Sequence, residues 1–280
     1  MDKIFFTEEN MNPSRCILAA FVTLSLSFSA FADSIQLQNL DKSDMQKLVG
    51  DFSANFLHTS VEGAATLGKV WGFEVGLVGG VTNTPNINEL GERANPSSPP
   101  NLKRLPHAEV LGAITIPLAI TLEAGLIPKV GSDEFKMSSF SLAAKWTPSE
   151  LFFDWPVDVA IKLQTTKTKA EFKSTISGVP TKFDFDDSIF AAIALVSKNL
   201  GVFEPYIGLG VTSAKGDLDV NGSTTVFNTT YSGSQSASEK KSGGLFILGC
   251  DANLAIVKFG LEYSHLYETS RLTGKFSFYF

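Results

Sequence analysis

The final ten residues, RLTGKFSFYF, restrict the fold more than any other stretch of the chain. Counted in twos from the end, one face carries Phe280, Phe278, Phe276, Gly274 and Leu272. The other carries Tyr279, Ser277, Lys275 and Thr273. Alternation with period two describes a strand with one apolar face. Chain ends usually fray into water, so a terminus with four aromatics in five residues needs an apolar surround. The boundary between bilayer and water provides one, because strands that cross a membrane gather aromatic residues there.

This ending resembles that of the bacterial outer-membrane β-barrel proteins, which commonly finish in Phe with apolar or aromatic residues at alternate positions before it. The resemblance implies a transmembrane barrel in the bacterial outer membrane, surrounded by its lipid. It also implies that Phe276, Phe278 and Phe280 form the signal read by the barrel-assembly machinery. In length, in a helix ahead of the first strand and in the Trp71-Gly72 start of the barrel, the chain further resembles a family of uncharacterised exported barrels of unknown function. Transporters of hydrophobic compounds of the fatty-acid uptake type also carry an N-terminal segment, but their barrels are larger than this chain can build.

The N-terminal region reads as an export signal. From Met11 it has a single Arg15, an apolar run from Cys16 to Phe28, and the small-x-small site Ala30-Phe31-Ala32. Cleavage is expected after Ala32, so residues 1–32 form the signal peptide, with initiation at Met11 fitting better than at Met1. Cys250 is then the one cysteine left, which excludes an intrachain disulfide. Residues 33–69 are read as a helix and a connection. Asp41 or Ser43 caps the helix, Met45, Leu48, Val49, Phe52 and Phe56 keep helical spacing, and residues 57–69 run on as a small, Gly-rich link. The helix is expected to cover the barrel's open periplasmic end, with plugging of the lumen or lying on the inner leaflet surface as alternatives.

Residues 70–280 alternate throughout. Ten antiparallel strands are expected, at 71–82, 107–116, 118–127, 134–147, 157–172, 183–197, 202–216, 243–252, 255–268 and the terminal stretch, with eight or twelve as alternatives. Outward faces are read as Trp71, Phe73, Val75 and Leu77 in the first, Phe140, Leu142 and Trp146 in the fourth, and Ile161 and Leu163 in the fifth. The sixth offers Ile189, Ala191, Ile193 and Leu195, and the ninth Val257, Phe259, Leu261 and Tyr263. An even count returns the chain to its starting side, as single-chain bacterial barrels require. It also puts Trp71, Trp146 and Trp155 at one level, the periplasmic one, and the long polar stretches 84–106 and 217–242 at the other, where 217–242 can extend its hairpin beyond the membrane before returning. A soluble sandwich or lipocalin-like barrel alternates equally well, with its faces reversed. The export signal, the Phe ending and the shared Trp level favour the membrane.

Facing inward are Glu74, Glu109, Glu123, Lys145, Asp158, Lys162, Lys258 and Glu262. Unpaired burial of such charges is very costly, so they must pair with one another or meet lumen water. Two functions follow. One is a small passive channel or transporter for small solutes, with inward glycines leaving room for water. The other is a structural or surface-interaction barrel with a closed lumen, acting through its extracellular loops. Catalysis is not expected. His107 and His265 are the histidines near a rim, with Ser264 beside His265, but the parity of Tyr263, His265 and Tyr267 points His265 at lipid headgroups. The acidic run Asp184, Asp186, Asp187 lacks calcium-loop spacing. No cofactor motif and no nucleic-acid signature is present.

Overall fold

The computed structural model describes residues 42–68, 70–94, 102–133, 135–152, 155–176, 179–226 and 229–280. The expected export signal and the residues up to 41 lie outside these. Helix α1 (Lys42–Phe56) leads into β1 (Phe73–Asn83), and helix α2 (Pro85–Ala94) separates β1 from β2 (Arg104–Ile116). There follow β3 (Ile120–Gly131), β4 (Phe135–Trp146), the single turn α3 (Ser149–Phe152), β5 (Asp158–Ile176) and β6 (Val179–Ser197). The chain ends in β7 (Phe203–Val226), β8 (Thr229–Leu254), β9 (Val257–Leu266) and β10 (Thr269–Tyr279).

Every strand pairs antiparallel with its sequence neighbours, and β1 pairs with β10, so the sheet closes into a ten-stranded barrel. The seam sets Val75 opposite Phe278 and Leu77 opposite Phe276. It ends in a reciprocal pair of backbone hydrogen bonds between Phe73 and Phe280, of 3.0 and 2.9 Å. The aromatic ending therefore completes the ladder, with the Phe73 and Phe280 rings 5.0 Å apart. The barrel end that carries the C-terminus is called the near end, the opposite one the far end. All three tryptophans lie at the near end: Trp71 just before β1, Trp146 closing β4, Trp155 just before β5.

The outside is apolar and the inside charged, the reverse of a soluble barrel. Leu77, Phe140, Leu163, Leu209, Leu261 and Phe276 are exposed, while Glu74, Lys145, Glu123 and Lys275 are buried. On β7 the outward apolar run spans Phe203 to Val211. Nine residues rising about 3.3 Å each at a tilt of roughly 40° make a band about 22 Å tall, which fits the apolar belt of a membrane barrel.

Beyond this band the facing reverses without any shift in register. On β5, Ile161 and Leu163 point out below, but Lys167, Lys169 and Lys173 point out above, where Ala170 and Phe172 turn inward. On β6, Asp184 and Asp186 point out and Phe183 and Phe185 in. These far-end residues, with Phe135, Met137 and Leu218, enclose Met45, Leu48, Val49 and Phe56 of α1 in an ordinary apolar core. The far end is thus built like a water-soluble barrel on top of a membrane one. The 26 residues of β8, roughly 85 Å of strand, far exceed the 9–11 needed to cross a bilayer.

The polar stretch 217–242 extends its hairpin beyond the band, as its sequence allows, because β7 and β8 pair without a break from Phe203↔Ala252 to Val226↔Thr229. Several other expectations are corrected. The stretch 84–106 contains α2, whose first turn is held from outside: Asp51 accepts from the Ile87 N–H at 2.9 Å and the Asn86 amide at 2.8 Å. On β6 the inward residues are Ile189, Ala191, Ile193 and Leu195, and the lipid-facing ones Phe190, Ala192, Ala194 and Val196. Both faces of that strand are apolar, so its own pattern does not choose. Tyr267 is buried, because Tyr267 and Glu268 take positive φ (51° and 71°) in the β9–β10 turn and break the strand parity.

Candidate functional site

The lumen is occupied by the chain's own residues 42–68. Helix α1 stands in the far half. Its start is tied to the far end by Lys42–Glu239 (3.7 Å) and Lys47–Glu89 (3.3 Å), and by an ion pair of Asp44 with Arg93 on α2. Lower down, Asp51 accepts from the Thr269 hydroxyl (3.1 Å), and the Ser53 hydroxyl donates to Asp187 (2.9 Å). The helix ends beneath Arg271, whose guanidinium donates to the carbonyls of Ala54 and Leu57. The Ala54 carbonyl is among the last of the helix, which have no partner within it, and that of Leu57 is the first beyond its end.

From Leu57 the chain continues, extended, down the axis, and its side chains complete two ionic groups. In the upper one, His58 is fully buried between carboxylates, Nδ1 3.0 Å from Glu109 and Nε2 3.1 Å from Glu123. Only the doubly protonated ring donates to both. Lys162 completes this group, 2.5 Å from Glu123 and 3.0 Å from the Ser60 hydroxyl. Beside it Glu262 accepts from the hydroxyls of Thr59 (2.9 Å) and Tyr206 (3.0 Å). In the lower group three ammonium groups surround Glu62: Lys258 at 2.6 Å, Lys145 at 3.4 Å and Lys275 at 3.7 Å. Glu74 takes the other side of Lys275 (2.8 Å) and Lys258 (3.5 Å). Lys145 also donates to the carbonyls of Gly63 (2.9 Å) and Ala65 (2.7 Å), so it grips backbone as well as charge. Below this the amides of Ala64, Thr66 and Leu67 donate to Ser197, Glu150 and Thr115 at the near end.

The wall is shaped for this occupant. A Cβ on Gly260 would lie 2.7 Å from Val61 Cγ1, and one on Gly125 would collide with Glu109 and His58. The inward glycines therefore admit polypeptide where water was expected. Val61 takes a left-handed backbone (φ 48°), uncommon for a β-branched residue, and is completely buried against Val78 and Leu111. A cavity of about 10 Å³ remains beside Leu57–Ser60, Lys162 and Gln164, room for about one water.

All eight predicted interior residues face the lumen. Glu74, Glu109, Glu123, Lys145, Lys162, Lys258 and Glu262 join the two groups, while Asp158 is half-buried at the near rim. Phe276 and Phe278 are exposed on the outer wall, and Phe280 ends the seam. Ala30 and Ala32 lie outside the described residues. His265 points outward and bonds Ser270 (3.1 Å), whereas Ser264 points inward to Arg271 (3.2 Å), so the two are not brought together. His107 is buried against Thr273 (3.1 Å). The acidic run is split between faces, Asp184 and Asp186 pairing with Lys182 and Lys169 outside and Asp187 with Ser53 inside. Sequence reasoning missed His58 and Glu62. Their signal was available: two ionisable groups in a link of small residues, opposite a wall rich in charge.

The profile of a protein family described as "Family of unknown function (DUF6588)" matches residues 22–280. No curated protein matches the chain. Among solved structures it is similar to the translocator domain of the autotransporter NalP from Neisseria meningitidis (12% identity, TM-score 0.41, covering 93% of this chain and 99% of that one). It is also similar to Ail, the attachment invasion locus protein of Yersinia pestis (9%, 0.27, 76% and 100%), and to the toluene transporter TbuX of Ralstonia pickettii (10%, 0.32, 82% and 97%). At such low scores these likenesses carry no argument about activity.

Proposed function

The chain belongs to the DUF6588 family of unknown function, and from that premise we propose an outer-membrane barrel, closed by its own N-terminal segment, that acts at the cell surface. The observation that carries this reading is the filled lumen. Residues 42–68 occupy it from far end to near end, and Glu109, Glu123, Lys145, Lys258 and Lys275 of the wall each pair with His58 or Glu62 of that segment. An open pore would leave those charges to water. Residence in a membrane is supported by the outward apolar band and the aromatic near end. Action at the surface is supported by the part of the wall that rises beyond the band. There β8 from Thr229 to Gly244 has β7 on one side and no described strand on the other, since pairing with β9 stops at Leu245↔Leu266. Such an edge offers unpaired backbone groups to an extended partner.

The test is single-channel conductance of the refolded mature protein in planar bilayers, alongside fractionation of cell membranes. The closed reading expects an outer-membrane protein without steady conductance. Steady conductance of the intact chain would favour the second reading, a channel for small solutes. One observation keeps that reading in play: charges of both signs line the wall, so withdrawal of the segment would leave a polar conduit.

A further inference from the structure

The direction in which residues 42–68 run fixes more than closure. Lys42 is at the far end, bonded to Glu239, which lies six residues beyond the point where β8 loses its β9 partner. Leu67 is at the near end on Thr115, and Trp71 donates to the Thr115 carbonyl (2.7 Å) immediately before β1. The chain therefore crosses the barrel once through its middle before it crosses ten times in the wall. An even number of strands alone keeps both termini on one side. The luminal passage adds an eleventh crossing and puts what precedes Lys42 on the side opposite Phe280.

A return path through the lumen is closed. The far half is packed with Met45, Val49, Phe56, Phe183 and Phe185, Arg271 beside them holds the carbonyls of Ala54 and Leu57, and the cavity at Leu57–Ser60 accommodates about one water. We propose that the chain upstream of Lys42 is displayed on the outer surface of the cell, tethered there by a plug whose other end starts the barrel in the periplasm. This rests on the sidedness adopted above, with the near end in the periplasm.

The test uses the full chain in cells, with Cys250→Ala as background. Ser34→Cys and Asn39→Cys report the upstream segment, Ser234→Cys the far hairpin and Asn199→Cys a near-end turn. Each is treated with a maleimide on a polymer too large to cross the outer membrane, before and after permeabilisation, and labelling in detergent confirms that the thiol is present. The expected result is that the thiols at 34, 39 and 234 label on intact cells and the one at 199 labels only after permeabilisation. Labelling at 234 on intact cells, with 34 and 39 reached only after permeabilisation, would overturn the proposal and leave the sidedness standing. Labelling at 199 but not at 234 on intact cells would overturn the sidedness and the proposal with it.

Discussion

Replacing Glu62 with Gln changes one oxygen for an amide and little else in shape, yet it removes the anion that three buried ammonium groups share. In the parent, Glu62 and Glu74 face Lys145, Lys258 and Lys275, an excess of one positive charge that becomes two in the variant. Lys275 keeps Glu74 at 2.8 Å and Lys145 keeps two carbonyls, but Lys258 loses its 2.6 Å partner and is left with Glu74 at 3.5 Å and the face of the Tyr279 ring at 5.3 Å. Removing one side of a buried ion pair typically costs about 3–5 kcal/mol. At about 1.4 kcal/mol per decade, the unseated population of residues 57–68 should rise roughly 100- to 3,000-fold. Hydrogen exchange reads this directly. The amides of Gly63, Ala64 and Ala65 donate to Asp251, Ser197 and Glu204, and their protection should fall by that factor while the strands keep theirs. Adding Lys258→Met, which removes the stranded charge, should restore much of the protection. Unchanged protection at 63–65 in folded E62Q would refute the idea that this cluster holds the plug.

Leu261→Arg places a charge in the middle of the outer band and should destabilise the protein by about 2–4 kcal/mol in reversible unfolding from lipid bilayers; a cost near zero would mean that face does not meet hydrocarbon. Gly260→Leu, one residue away and facing in, should cost about 1–3 kcal/mol through overpacking against Val61, seen as a lower denaturation midpoint. A neutral outcome would deny that residue 61 passes there. His58→Gln leaves Glu109 and Glu123 beside Lys162 without the cation between them, so stability at neutral pH should drop by about 3 kcal/mol, two charge-assisted hydrogen bonds' worth. A variant as stable as the parent in denaturant titration at neutral pH would contradict this.

The wall was legible in the sequence because most strands carry their own instruction, β6 with its two apolar faces being the exception. Phe276, Phe278 and Phe280 alternate with Lys275 and Ser277, and the same period in β1, β4, β5 and β9 gives count, order and facing. What escaped has a common physical cause: it depends on partners distant in the chain. Residues 57–68 have no periodicity, and what makes His58 and Glu62 important is the lysines and carboxylates of β2, β3, β4, β9 and β10. Helix α2 is short, and the Asp51 carboxylate that holds its first turn comes from another element.

The reversal of facing along β6 has a consequence for how that strand finds its place. Within the bilayer, sliding it by one position would exchange Ile189, Ile193 and Leu195 for Phe190, Ala192 and Val196, one greasy set for another, so the lipid alone barely distinguishes the two alignments. Outside the bilayer the same slide would carry Phe183 and Phe185 into water and fold Asp184 and Asp186 into the apolar core around α1. Correct alignment of a membrane strand is thus enforced by its aqueous half.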